Sequence, residues 1–112
     1  MVATDLAWFG KDEAGTWPVE QANRLLTFFY NEGIDSYGSL YTLNGTCTST
    51  GHSAGLIAMN AVGALASDQA IAYEFVDALY ELAIPTGSGR YYNGMLYMWA
   101  LLFVSGEFKI YL

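Results

Sequence analysis

Positive charge is scarce in this sequence. Of 112 residues only Lys11, Arg24, Arg90 and Lys109 are basic, and they stand singly. A nucleic-acid surface needs clustered Lys and Arg, so that class is excluded. Charge of either sign is sparse, at 13 % against about 25 % in ordinary soluble domains. There is one cysteine, Cys47, and one histidine, His52. An internal disulfide is therefore impossible, and one His with one Cys cannot build a zinc site. No metal and no cofactor is expected. Apolar runs are short: the longest, Met95 to Val104, is about half the ~18 residues of a membrane span, so no membrane partner is expected. Met1-Val2-Ala3-Thr4-Asp5 has neither the basic start nor the apolar stretch of a signal peptide.

What is abundant is hydrophobic side chain, at 54 % of the residues with a net charge of -7. The length bounds the chain at one domain. A chain this short has a high surface-to-volume ratio and should be more polar than average. Either it buries surface against something else or it is part of something larger.

Residues Val2 to Gly10 read as a helix with Leu6, Phe9 and Ala3/Ala7 helically spaced and Gly10 at its C′ position. Lys11 to Gly15 reads as a polar loop. Thr16-Trp17-Pro18 starts a second helix, since proline is tolerated in a first turn. Ala22, Leu25, Leu26 and Phe29 form its apolar stripe, and it ends near Gly33. Ile34 to Gly51 is too long for a mere connection in a compact domain. Its tyrosines, Tyr37 and Tyr41, argue against disorder.

His52 to Ala66 is helical by composition but has no polar face, Asn60 being its one strongly polar interior residue. A helix apolar all round is buried on all sides. Ser67 is a good N-cap for an amphipathic helix from Asp68 to Leu82. Ile71, Phe75, Val76, Leu79 and Leu82 would face in; Glu74, Asp77 and Glu81 would face out. Pro85 and the Gly87/Gly89 loop stop it. Asn93 to Ser105 is again apolar all round, Gly106 terminates it, and Glu107 to Leu112 reads as a partly extended aromatic tail. The order is buried, surface, buried, surface, buried. Three enclosed helices and two covering ones cannot close a globule. The expected class is all-α, about five helices forming part of an α/α barrel in which inner helices line the core and outer ones wrap them.

Three ordered motifs resemble the C-terminal part of glycoside hydrolase family eight. His52, Gly55, Leu56, Ala58, Asn60 and Ala61 match its H-P-x-G-L-x-A-x-N-A stretch. Arg90, Tyr91, Tyr92, Asn93, Leu96 and Tyr97 match R-Y-Y-D/N-x-x-L-Y; Ser105, Gly106, Phe108, Lys109 and Ile110 match S-G-x-F/Y-R/K-I-W. Ala3, Asp5 and Trp8 are similar to the family's I-A-x-D-x-x-W helix. The resemblance runs in order through essentially the whole chain. Ser53 stands where Pro is common and Tyr111 where Trp is common. The wording looks most like the xylanase and xylo-oligosaccharide branch.

The resemblance implies a barrel of six inner and six outer helices and an inverting hydrolase of β-1,4-linked polysaccharide: xylan or xylo-oligosaccharide first, then cellulose, β-glucan or chitosan. Inversion needs two carboxyl groups about 6.5–9.5 Å apart. In the family the acid is an early Glu and the base an Asp shortly before the I-A-x-D-x-x-W helix. Both would precede Met1. Residues 1–112 are then expected to be an incomplete, C-terminal portion of one barrel domain, inactive alone, whose parent is secreted or periplasmic.

No catalytic residue is expected in the chain itself. Asp5, the one carboxylate on an inner helix, is first a hydrogen-bonded core group and second a candidate beside the catalytic water. Tyr91 and Tyr92 suit a sugar subsite, since an aromatic face stacks on a sugar ring while the phenol reaches a hydroxyl. The alternative is two core tyrosines. His52 is a substrate-contact candidate through the family match, and a capping or packing residue otherwise. Trp8 is the outside candidate, Trp17 and Trp99 being packing residues, while Arg90 would pair with Asp5 or Glu107. Asp12, Glu13, Glu74, Asp77 and Glu81 read as solvated. Asn44-Gly45-Thr46 is a glycosylation sequon, and Cys47 a plain free thiol. Expected partners are the saccharide and the missing N-terminal part of the barrel, or a second copy through exposed inner helices. The competing reading is a non-catalytic helical module that binds glycan or self-assembles.

Overall fold

At the centre lies a helix almost without polar side chains. In the computed structural model, which describes residues 1–10 and 14–109, the helices are α1 (Val2–Phe9), α2 (Trp17–Glu32), α3 (Ala54–Ala64), α4 (Ala72–Glu81) and α5 (Arg90–Val104). Lys11, Asp12 and Glu13 of the expected polar loop lie outside the described residues, as do Ile110, Tyr111 and Leu112. All four other helices pack on α3. Its Gly55, Ile57, Ala58, Ala61, Val62, Gly63 and Ala64 are buried, because small side chains let neighbours approach from every side. Gly55 is the tightest point: a Cβ there would sit 2.8 Å from both Asn93 Oδ1 and Leu96 Cδ1 of α5.

The core divides into two sets around α3. Leu26 and Phe29 of α2, Tyr37, Ile57 and Phe75 of α4 form one. Ala58, Ala61, Val62, Leu79, Ala100 and Phe103 form the other. Each fully buried Leu or Phe contributes about 1.5–3 kcal/mol by leaving water. Two polar ties add to this. Thr4 Oγ1 donates to the Val62 carbonyl at 2.6 Å, fastening α1 to α3. On the other side, Asn23 of α2 donates to Asp68 at 2.8 Å and accepts from Ser67 at 2.6 Å.

The five expected helices are present, with five corrections. The α4 helix starts at Ala72, not at Asp68. Ser67 Oγ accepts the Gln69 N–H at 3.1 Å and the first turn closes through i→i+3 bonds, so Ser67 caps a turn tied to α2 and not the helix. Leu25, expected on the buried stripe, is 47 % exposed. It lines an open cleft between α1, α2 and α3 with Val2, Leu56 and Met59. On α5, which begins at Arg90, only Ala100 and Phe103 are buried. Met95, Met98, Trp99 and Leu102 are exposed, because α3 and α4 cover one face alone. Gly10 has φ −117°, so it closes α1 without the left-handed conformation. Glu107 and Phe108, in the described part of the tail, do not trail away from α5. With Gly106 at φ +78°, Gly106 N–H bonds Phe103 O and Glu107 N–H bonds Leu102 O, satisfying orphan carbonyls. Phe108 thereby folds back onto Phe103, rings stacked at 4.2 Å.

The long segment between α2 and α3 holds a small antiparallel hairpin, β1 (Leu40–Tyr41) with β2 (Cys47–Ser49), pairing Leu40 with Ser49 and Tyr41 with Cys47. Its turn is closed by Asn44, whose Oδ1 accepts from Thr46 Oγ1 at 3.0 Å, and by Gly45 at φ +88°. Among the described residues no helix is long and apolar enough to cross a membrane.

Candidate sugar-binding cleft

The N-terminal ends of α3 and α5 and the hairpin meet around a cleft of about 360 Å³. Its wall is Ser39 and Leu40 from the hairpin, Ser53, Leu56 and Met59 from α3 and its approach, and Tyr92 and Leu96 from α5. Gly55 and Asn93 set the spacing, since the close approach of α3 to α5 at that point brings Ser53 and Tyr92 to one rim. Tyr92 is 69 % exposed and Tyr91 78 %. They begin α5 because the loop before it contains Gly87 at φ +80°, and because Arg90 Nη1 donates to the Gly87 carbonyl at 3.1 Å. That bond replaces the expected pairing of Arg90 with Asp5 or Glu107.

His52 lies immediately before Ser53, half-buried. Its Nδ1 is 2.8 Å from the Tyr37 carbonyl oxygen, and the two rings meet edge to face at 4.4 Å. Tyr37 itself is buried. Burial pushes its phenol above the ordinary value, and the neighbouring Asn60 side chain partly opposes that rise. Asn60 Nδ2 has no hydrogen-bond partner among the described residues. Tyr41 Oη accepts the Gly38 N–H at 2.8 Å; the Tyr41 phenol is raised first by desolvation, and the Gly38 bond lowers it.

The other two candidates sit elsewhere. Trp8 packs against Phe103 at 6.4 Å and against Phe9. Phe103 is eleven residues along α5 from Tyr92, about 16 Å at 1.5 Å per residue. Asp5 is half-buried on α1, where the fully buried polar group is its neighbour Thr4. The cleft thus joins Tyr92 to the vicinity of His52 and does not include Trp8 or Asp5. Ser39 and Ser53 were missed as site residues. A serine among Ser/Thr-rich loop residues carries no sequence signal, and only the hairpin's return toward α3 brings the pair together.

Hydroxyls, one phenol and apolar walls make a neutral lining. Such a surface suits a ligand that is itself neutral, flat-faced and rich in hydroxyls. Among the described residues no group of three or more His, Cys, Asp or Glu could hold a metal ion.

No family model matches the chain. It is similar to reducing-end xylose-releasing exo-oligoxylanases: 36 % identical to that of Paenibacillus barcinonensis and 37 % to that of Halalkalibacterium halodurans, in each case over 98 % of this chain and 28 % of the relative. Among solved structures it superposes on a GH8 xylobiose complex from Teredinibacter turnerae with a TM-score of 0.83 and 40 % identity, covering 96 % of this chain and 26 % of that one. The xylose complex of the Paenibacillus barcinonensis enzyme gives a TM-score of 0.84 at 34 % identity, over 99 % of this chain and 29 % of that one. The chain therefore spans under a third of the length of the relatives it matches. Its five helices match a part of those structures, which are α/α barrels. Over nearly its whole length the chain is similar to a part of these glycoside hydrolase family eight structures.

Proposed function

We propose that the chain is the C-terminal portion of an inverting glycoside hydrolase that acts on β-1,4-linked xylan or xylo-oligosaccharide, and that it supplies one wall of the sugar cleft. The observation that carries this reading is the match to xylo-oligosaccharide-acting enzymes over 98 % of the chain but only 28 % of their length. Tyr92, with Ser39 and Ser53 beside it, would stack on and hydrogen-bond a xylose ring; Tyr91 and His52 flank that position. The cleft contains no carboxylate among its lining residues, which fits an acid and base supplied by another part of the barrel. Asp5 is kept as a candidate for orienting groups near the base. The whole enzyme would be secreted or periplasmic, where polymeric xylan is met.

The test is to express the chain alone and joined to a preceding barrel segment from a GH8 relative, and to assay release of reducing sugar from xylohexaose. Turnover by the joined protein with none from the chain alone is expected. Equal activity in both, or activity in neither with both folded, sinks the reading.

The exposed apolar residues of α5, with Leu25 and Phe9, favour a second reading: a non-catalytic module that binds xylan or associates with itself. Retention on insoluble xylan without release of reducing sugar, from a protein whose gene has no upstream barrel segment, would select it.

A further inference from the structure

Along α2 the sequence sets Asn23, Thr27 and Asn31 in one row of four-residue steps, with Arg24 and Phe28 in the row beside it. Residues so spaced are neighbours on a helix surface. Phe28 alone of the five is apolar. These side chains and Gln69, from the turn before α4, line an open cleft of about 410 Å³. It shares no lining residue with the cleft at Tyr92.

The lining is held in place by its own bonds. Both ends of the Asn23 amide are taken, one donating to Asp68 at 2.8 Å and the other accepting from Ser67 at 2.6 Å. Thr27 Oγ1 donates to Gln69 Oε1 at 3.1 Å, which leaves the Gln69 amide nitrogen as a donor toward a ligand. Phe28 is half-buried, its ring braced edge to face by Phe29 at 5.3 Å and by Tyr41 at 5.0 Å. One turn before it stands Arg24, exposed, whose guanidinium is a planar fork of five N–H donors with no acceptor. No carboxylate is among the lining residues; Asp68 stands outside them and accepts from Asn23. Donors therefore outnumber acceptors here, in a chain whose net charge is -7.

We propose that this cleft on α2 is a second saccharide site and that it takes an acidic sugar, a uronic acid unit whose carboxylate pairs with Arg24, whose hydroxyls meet Gln69 and Asn31, and whose ring lies against Phe28. A carboxylate fits a guanidinium through two parallel hydrogen bonds, and the apolar face of a sugar suits an aromatic ring. The cleft at Tyr92 is neutral and has no such cation in its wall, so the two sites differ in what they select. The inference rests on the reading of the chain as part of a xylan-acting enzyme and deepens it: acid-substituted chains are held at α2, apart from the place where neutral units are bound.

The test is a titration of the ¹³C,¹⁵N-labelled chain, read at the side-chain amides of Asn31 and Gln69 and at the Tyr92 ring. The probes are xylotetraose bearing a glucuronic acid branch, plain xylotetraose, and sodium acetate. The branched acid is expected to move the Asn31 and Gln69 signals and to bind there about tenfold more tightly than the plain chain, as one charge-assisted pair allows. That preference is expected to vanish in Arg24→Gln. Equal affinity for the acidic and plain chains overturns the proposal, as does a preference that survives Arg24→Gln. Acetate binding as tightly as the branched acid also overturns it, since the site would then read the anion and not the sugar. Should the variant not fold, the comparison of the three probes on the unaltered chain still decides. A response of the Tyr92 ring to plain xylotetraose, with Asn31 and Gln69 unmoved by every probe, refutes the second site and leaves the sugar cleft standing. No shift at either place counts against both.

Discussion

Thr4 and Val62, 58 residues apart in sequence, are joined by a 2.6 Å hydrogen bond from a side-chain hydroxyl to a helix carbonyl, with both residues wholly out of water. The bond lies where α1 crosses α3, and it is a buried polar tie in an otherwise apolar contact.

Thr4→Val keeps the shape and removes the donor. The Val62 carbonyl still receives the Leu65 N–H at 3.1 Å, so it is not left without a partner. The expected loss is about 1 kcal/mol of stability, read as a lower urea midpoint at unchanged slope. Thr4→Ala adds a void and is expected to lose more.

Phe103 is fully buried, stacked on Phe108 and in contact with Trp8. Phe103→Ala is expected to cost about 3–5 kcal/mol, a large share of the ~5–15 kcal/mol that holds a whole domain together. Thermal melting by circular dichroism checks this; a shift of only a degree or two would contradict the packing described.

Gly38→Ala places a methyl against the Ser49 carbonyl and Cys47 Sγ. Backbone cannot move aside as a side-chain tip can. A destabilisation of about 1–3 kcal/mol is expected from the overpacking, together with faster amide exchange at Ser39 and Thr42, whose N–H groups bond across the hairpin to Ser49 and Thr46.

Alkali has a defined effect through Tyr37. Its phenol is raised by burial, whereas in the unfolded chain it titrates near the ordinary value of about 10. Above that pH the unfolded chain gives up the proton while the folded one keeps it. The folded state then binds more protons, and stability falls as pH rises. Urea midpoints should be level below about pH 9 in this respect and decline above about pH 10. Tyr37→Phe should flatten the decline.

Tyr91, Met95, Met98 and Leu102 are all exposed and follow one another at spacings of four, three and four, which aligns them as one stripe on α5. Exposed apolar patches of this kind drive association. The 112-residue chain should sediment as oligomers at micromolar concentration, and Met98→Glu with Leu102→Glu should shift it toward monomer. A wild-type chain that stays monomeric would show the stripe to be inert.

Much of this architecture could be read from residue order. The absence of a polar face from His52 to Ala66 identified the central helix, and Gly106 marked the end of α5. What failed did so for physical reasons. Amphipathic periodicity says which face of α2 is apolar, but not that Leu25 borders an open cleft. Likewise the polarity of α5 shows that it can be enclosed, without showing which neighbours are there to enclose it. Asp5 drew attention as a carboxylate on an inner helix, while burial fell to Thr4, a residue whose methyl hides its polarity. The hairpin was invisible because two- and three-residue strands carry no period. In the cleft, Tyr92 and His52 were legible as residue types; Ser39 and Ser53 needed the hairpin to be placed.

Because α3 touches every other helix, its loss cannot be local. No sub-set of the remaining four could persist as a unit once α3 opens, so hydrogen exchange at Ala58, Ala61 and Val62 should proceed only through global unfolding. The same geometry limits substitution locally: a side chain added at Gly55 would meet Asn93 and Leu96 of α5 at 2.8 Å.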